Sequence, residues 1–402
     1  MNKAECHIRS SSEPIVISNN QEIITGLRKE LIRFRMKMSI VRIAISSYNN
    51  PIDWFRSLRY IVRLKKRINL DKVISKLILF EGKYYSGLYT PSWNGFIFRS
   101  FITTHLNAYK TVEKGTVNAF NTVYLALTKK CILQCEHCYE GDSLNQKDSL
   151  STDNFQHIVE ILQQKGVSQI HLTGGEPFLE IDRILSILKH AKKNTEFWID
   201  TSGYNLTSNN AKKLKEAGLT GVVVSLDHFI PEKHNAFRHS ENAFYWVEKA
   251  LKNAAENQLM TALSLCATKD FISPSNLMQY MELAKKLQVS FVQILEPKDV
   301  GHYNKKDVKL ERSHTDILNK FFIKMNYNKE YESFPIIMYF EYYQRKHGCL
   351  NLINKNIYID ADGKINSCPF CHNKIGSILD ANIDKHLDKL KLTDCKRYIE
   401  HV

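Results

Sequence analysis

From residue 122 to residue 297 the chain keeps a rhythm that few architectures satisfy. Short β-rich runs alternate with amphipathic helical stretches: "TVYLALT" (122–128), "SQIHLTGG" (168–175), "EFWIDTSG" (196–203), "GVVVSLD" (221–227), "MTALSLCAT" (260–268) and "SFVQILEP" (290–297). Between them lie segments such as "TDNFQHIVEILQQKG" and "SNLMQYMELAKKLQ", whose apolar residues recur at helical spacing. Gly166 and Gly218 stand where a helix C-cap glycine belongs. Six strands alternating with helices predict an α/β fold with a parallel sheet and right-handed crossovers. An open doubly wound sheet and a partial barrel both fit, and both put chemistry at the C-terminal ends of the strands.

The unusual residues fall at those ends. A cysteine-rich loop follows the first run; Gly174, Gly175, Glu176 and Pro177 end the second; Thr201, Ser202 and Gly203 the third; Ser225, Leu226 and Asp227 the fourth; Glu296 and Pro297 the sixth. Five glycine-rich or polar strand ends sharing one rim with three thiols predict a site.

At 402 residues and 43% hydrophobic, the chain is long enough to bury a full core. Its first residues have no apolar signal region, and no stretch approaches the roughly 18 apolar residues of a membrane span, so the expected location is the cytoplasm. Its nine cysteines are an odd number, and six fall in two tight groups, which in a reducing compartment reads as metal ligation before disulfides.

The first group, Cys131, Cys135 and Cys138, offers soft ligands for zinc or an iron-sulfur cluster. A structural zinc normally takes four ligands, as does a cubane held wholly by protein. His137 is awkward as the fourth because Cys138 adjoins it. A cubane held by three cysteines leaves one iron open to an exogenous ligand, which is a catalytic arrangement by the logic of open zinc sites.

The spacing Cys-x3-Cys-x2-Cys, followed by Tyr139 and placed after the first strand of a repeating β/α unit with "GGEP" ending the second, resembles the radical S-adenosylmethionine (SAM) superfamily. That resemblance covers about residues 120 to 300. It implies a partial (β/α)6 TIM-type barrel, a [4Fe-4S] cluster on Cys131, Cys135 and Cys138, and SAM chelated at the open iron. Reductive cleavage of SAM then gives a 5'-deoxyadenosyl radical that abstracts a substrate hydrogen. By the same resemblance Gly174, Gly175 and Glu176 hold the methionine amino group, with Pro177 shaping the turn. Ser202 and Ser225 match positions that bind the methionine carboxylate or the ribose, with helix capping as the other reading. Arg238 is a candidate for the methionine carboxylate, and Tyr139 lies against the adenine through its backbone. "TSG" stands where relatives often have Thr-Asn-Gly. Cys266 reads as a core thiol.

A second cysteine group follows in "CLNLINKNIYIDADGKINSCPFC", where "NIYIDADGKINSC" predicts a hairpin turning at "DADG". Its spacing resembles the auxiliary-cluster extensions called twitch and SPASM, shortened here because the sequence stops at Val402. The resemblance implies a second, auxiliary [4Fe-4S] cluster on Cys349, Cys368, Cys371 and Cys395; a structural zinc is the alternative.

The formal charge of +14 is concentrated at the N-terminus, where residues 1–115 hold 20 basic against 8 acidic side chains. The expected division is a basic, mainly helical accessory region (1–115), the radical SAM core (116–300), a helical linker (301–345) and the cysteine-bearing module (346–402). The aromatic stretch "GKYYSGLYTPSWNGFIF" (82–98) reads either as packing between domains or as the lining of a peptide or lipid groove. Expected partners are a peptide or small-molecule substrate, an electron donor such as a ferredoxin or flavodoxin, and an anionic membrane surface for the basic region, with no specific nucleic acid. Three functions follow: a radical SAM enzyme modifying peptide or protein, one acting on a membrane lipid or lipid-linked sugar, and a zinc-binding interaction protein.

Overall fold

The computed structural model describes residues 21–67, 74–114, 121–349 and 356–390. The N-terminal region builds β1 (Glu22–Ile24), α1 (Gly26–Ser47), α2 (Pro51–Arg67), β2 (Leu77–Phe80), β3 (Lys83–Tyr85) and α3 (Phe96–Lys114). Its three strands pair antiparallel in the order β1-β2-β3. The helices close a small core of their own around Ile32, Ile43, Trp93, Phe98 and Leu106.

The expected repeat then appears in full: β4 (Thr122–Ala126), α4 (Thr152–Gln164), β5 (Gln169–Thr173), α5 (Ile181–His190), β6 (Glu196–Thr201), α6 (Ser208–Glu216), β7 (Gly221–Ser225), α7 (Pro231–Arg238), α8 (Ala243–Glu256), β8 (Met260–Cys266), α9 (Pro274–Lys286) and β9 (Phe291–Leu295). Local chemistry starts these helices. Ser151 and Asn154 form a reciprocal capping box on α4, and Ser273 caps α9 ahead of Pro274. Gly166 and Gly218 both take a positive φ just past a helix end, as expected of C-cap glycines.

The stretch read as a helical linker holds α10 (Arg312–Tyr327) and α11 (Phe340–His347), and between them β10 (Ile336–Met338), which pairs parallel with β9. At the other edge, β11 (Ile357–Ile359) pairs parallel with β4 and turns into β12 (Lys364–Asn366) and β13 (Gly376–Ser377), followed by α12 (Ile383–Lys389). The sheet order is therefore β10-β9-β8-β7-β6-β5-β4-β11-β12-β13, a partial barrel whose six central strands are flanked by one more parallel strand on each side. The expected hairpin is thus part of the main sheet.

Alternation along the strands sorts the two faces. Val123, Ile170, Ile199, Val222, Leu263 and Val292 meet the helices in the main core. Trp198, Met260, Ala262, Phe291 and Ile336 point inward and are covered by Ile78, Phe80, Tyr85 and Leu88 of the N-terminal region. The β2-β3 hairpin thus plugs one end of the barrel. Lys76, fully buried, anchors it by donating to Met325 O, Tyr331 O and Phe334 O at 2.7–3.1 Å. Most of the aromatic stretch is packing, with Trp93 against Tyr84 and Tyr89 against Tyr124, His171 and Phe340, while Phe96 is exposed.

Candidate active site

The open end of the barrel holds a cavity of about 260 Å³. Cys131, Cys135 and Cys138 line it from the loop after β4, and all three thiols are free. Main-chain bonds set the loop: Cys131 N donates to Asn145 Oδ1 (2.9 Å), Cys138 N to Cys135 O (3.2 Å) and Lys129 N to Asp148 Oδ1 (2.8 Å). From across the barrel, His302 N donates to Cys138 O at 2.9 Å, and the His302 ring lies 2.8 Å from Cys135 O. Gly301 makes that approach possible, because a Cβ there would collide with Cys138 O. Burial pushes the Cys131 and Cys138 thiols up to about 12. Such thiols need a cation to become thiolates, and among the described residues no three His, Cys, Asp or Glu groups are placed to share a single ion.

The other strand ends converge on the same cavity, which Gly174, Gly175, Glu176, Ser202 and Ser225 all line. Gly175 N donates to Thr128 O and Glu176 N to Lys130 O, both at 2.8 Å, and a Cβ on Gly175 would strike Lys130 O. Pro177 opens a short 3-10 turn that Glu176 caps. The buried Glu176 carboxylate ties the second strand end to the third: it accepts from Thr201 Oγ1 (2.7 Å), Ser202 N (2.9 Å), Ser202 Oγ (2.5 Å) and Phe178 N (3.1 Å). Burial raises its pKa against these bonds, which favour the ionised form. Ser202 is thereby committed to Glu176 rather than to capping a helix.

Arg238 is buried and stands at the cavity wall. Its guanidinium pairs with Asp227 at 2.6 Å and reaches Cys135 Sγ with Nη1 at 3.5 Å. Burial would raise the pKa of Asp227, but Arg238, His137 and His234 reverse the balance and hold it below the usual carboxylate range. His137 is stacked on Phe237 and driven down to about 4 by burial.

The second cysteine group opens on the same cavity, through Cys349, Cys368 and Cys371. Cys371 N donates to Cys368 O at 3.0 Å, closing the turn that carries both thiols. Cys395 lies outside the described residues. Tyr139 joins the two groups: its ring meets Tyr358 and Phe370 edge-on, each at 5.9 Å. Tyr358 in turn donates to Glu140 at 2.6 Å. Cys266 is buried, as expected of a core thiol, yet it also lines the cavity.

Of the charged far wall, sequence reasoning found only Glu296. Lys298 sits between Glu296 (3.5 Å) and Glu341 (3.6 Å), while Tyr339 donates to Glu296 at 2.5 Å and Arg345 pairs with the same carboxylate. Burial opposes ionisation of Glu296, but Lys298 and Arg345 hold its pKa down; in Glu341 burial wins and the pKa is raised. Glu296 was visible as a strand end. Glu341 was not, because it belongs to α11 behind a three-residue strand.

Comparison with known proteins agrees with this geometry. Residues 125–272 match the family described as the radical SAM superfamily. Among curated proteins, GTP 3',8-cyclase of Helicobacter pylori is 29% identical over 194 residues, covering 45% of this chain and 59% of that one. The match therefore spans about three fifths of the relative's length. The structure of Streptococcus suis SuiB bound to precursor peptide SuiA superposes with a TM-score of 0.56 at 13% identity, covering 77% of this chain and 74% of the other. That of anSMEcpe with bound AdoMet gives 0.52 at 17% identity, covering 70% and 82%. At such identities the two structures speak for the fold.

Proposed function

We propose that this chain, which carries a radical SAM domain over residues 125–272, is an enzyme that uses SAM at a [4Fe-4S] cluster held by Cys131, Cys135 and Cys138 and modifies a peptide. The observation that carries the first half is the convergence of three free thiols and the "GGEP" edge on one cavity. The donor set fits the cluster: three soft ligands on one short loop, with a glycine edge beside them where a side chain would intrude. When bound, the cluster and SAM would supply reductive C–S cleavage and hydrogen abstraction.

The chain's own residues do the rest. Gly174 and Gly175 let the backbone of the cysteine loop pack against the second strand end, and Glu176 locks that edge to Ser202 so that both keep their position. Arg238 offers a charge-assisted bond to Cys135 Sγ and withdraws electron density from it. Tyr139 and Phe370 line the cavity between the two cysteine groups, with Tyr358 packed against Tyr139, and limit water there.

The charge of the cavity supports a peptide. Its lining includes five carboxylates, Glu176, Asp200, Asp227, Glu296 and Glu341, against two cations, Arg238 and Lys298, each already paired with a carboxylate. A nucleoside triphosphate, the kind of substrate named for the H. pylori relative, would find both lining cations already engaged by carboxylates. An uncharged or cationic peptide segment needs neither. Cys349, Cys368 and Cys371, which face the same space, would hold a second cluster with Cys395 as the fourth ligand, and that cluster would supply an acceptor for the electron lost by a product radical. A low-potential donor of the ferredoxin or flavodoxin kind would reduce the first, and the reducing cytoplasm suits both clusters.

The test is SAM cleavage measured alone, with GTP and with candidate precursor peptides. Acceleration by a peptide and not by GTP supports this reading; acceleration by GTP overturns it.

A further inference from the structure

Helix α1 is apolar on two opposite sides. Ile32, Met36, Ile40, Ile43 and Ala44 face the N-terminal core. Leu27, Leu31, Phe34, Met38 and Ile45 are exposed, Leu27 at 90% and Phe34 at 60%. At about 100° per residue the two stripes point about 180° apart, and the outer one, completed by Val41, runs at alternating steps of four and three residues for about 27 Å. Arg28, Arg35 and Arg42 follow one edge of it at every seventh position, and Lys37 stands on the other. Next in the chain, α2 exposes Ile52, Phe55 and Val62 among Arg56, Arg59 and Arg63. Residues 26–67 hold 12 basic and 2 acidic side chains, most of the chain's excess charge.

A solvated helix face would carry polar residues here, and large exposed apolar stripes mark contact surfaces. We propose that the outer stripe of α1 docks on an anionic membrane surface, with the apolar side chains entering the interface and the arginines meeting lipid headgroups. A second copy of this chain is a poor occupant, because stacked α1 helices would oppose Arg35, Lys37 and Arg42 with the same charges. A single acidic partner helix meets the apolar stripe but offers too few carboxylates for so large a local excess, whereas an anionic bilayer presents an extended field. No helix among the described residues is long and apolar enough to cross a membrane, so the contact is peripheral. The inference is independent of the chemistry proposed above, since none of these residues lines the cavity.

The test is cosedimentation of the full chain with vesicles of phosphatidylcholine alone and mixed with phosphatidylglycerol, at low and physiological salt. The expected result is binding only to the anionic vesicles, weakened at least about tenfold in F34S/M38S and losing much of its salt dependence in R35Q/R42Q. Circular dichroism and light scattering accompany each variant; both pairs are exposed, so the fold should persist. Absence of wild-type binding to anionic vesicles overturns the proposal, as does equal binding by F34S/M38S. A wild-type dimer that F34S/M38S dissociates would assign the face to a second copy instead.

Discussion

Arg238 reaches Cys135 Sγ at 3.5 Å with the same guanidinium that pairs with Asp227 at 2.6 Å. The pair is buried, so its charge bears on the sulfur with little screening by water. Arg238→Met should remove a hydrogen bond to the sulfur and shift the cluster to a more negative potential, read by redox titration followed by electron paramagnetic resonance. It should also leave Asp227 unpaired and cost about 3–5 kcal/mol in urea unfolding, a loss that Asp227→Asn in the same chain relieves. An unchanged potential would remove Arg238 from the electrostatics of the site.

Glu176 holds two strand ends together through three donors of Thr201 and Ser202, and a fourth, Phe178 N, caps its own turn. Glu176→Ala leaves those donors buried without their acceptor and should cost about 3 kcal/mol or more, measured by chemical denaturation. SAM binding, measured by equilibrium dialysis of the reconstituted protein, should weaken at least about tenfold because Gly175 and Ser202 lose their fixed relation. Full affinity in the variant would show that the strand ends do not need this brace.

Much of the fold was legible because parallel strands covered on both faces leave continuous apolar runs, and Gly166 and Gly218 mark helix ends. The rim was legible because polar and glycine residues interrupt those runs at their ends. β10 was not legible as a strand, since the three residues "IIM" give no period; β11 was read as one arm of a hairpin, but its pairing with β4, like that of β10 with β9, is decided by tertiary contact. The barrel plug was hidden for the same reason: Ile78 and Phe80 find Trp198 and Phe291 only in three dimensions. The role of Arg238 depended on Asp227, which lies in a different element.

The anchor at Lys76 gives stability a pH dependence. Burial pulls its pKa down to about 7 from the ordinary lysine range. Between that value and roughly 10.4 the unfolded chain binds a proton that the folded chain does not, so stability should rise with pH across this window and lose the dependence below it. Lys76→Met should abolish the slope and leave three carbonyls without a donor. Urea unfolding from pH 6 to 9 reads both effects; the same slope in the wild type and in Lys76→Met would mean that the three carbonyls hold the ammonium charged in the folded state.

The two cysteine groups should be separable. Cys368→Ala with Cys371→Ala should lower bound iron from about eight to about four per chain and retain SAM cleavage, while product formation on the peptide falls. Cys135→Ala should also leave about four irons but abolish cleavage. Loss of cleavage in the first variant would place the primary cluster on the wrong thiols.

The most direct test of the central claim is anaerobic reconstitution of the wild-type chain with iron and sulfide, followed by reduction with SAM and measurement of 5'-deoxyadenosine. The account predicts 5'-deoxyadenosine that depends on SAM, on reductant and on Cys135; zinc in place of iron, with no 5'-deoxyadenosine formed, would contradict it.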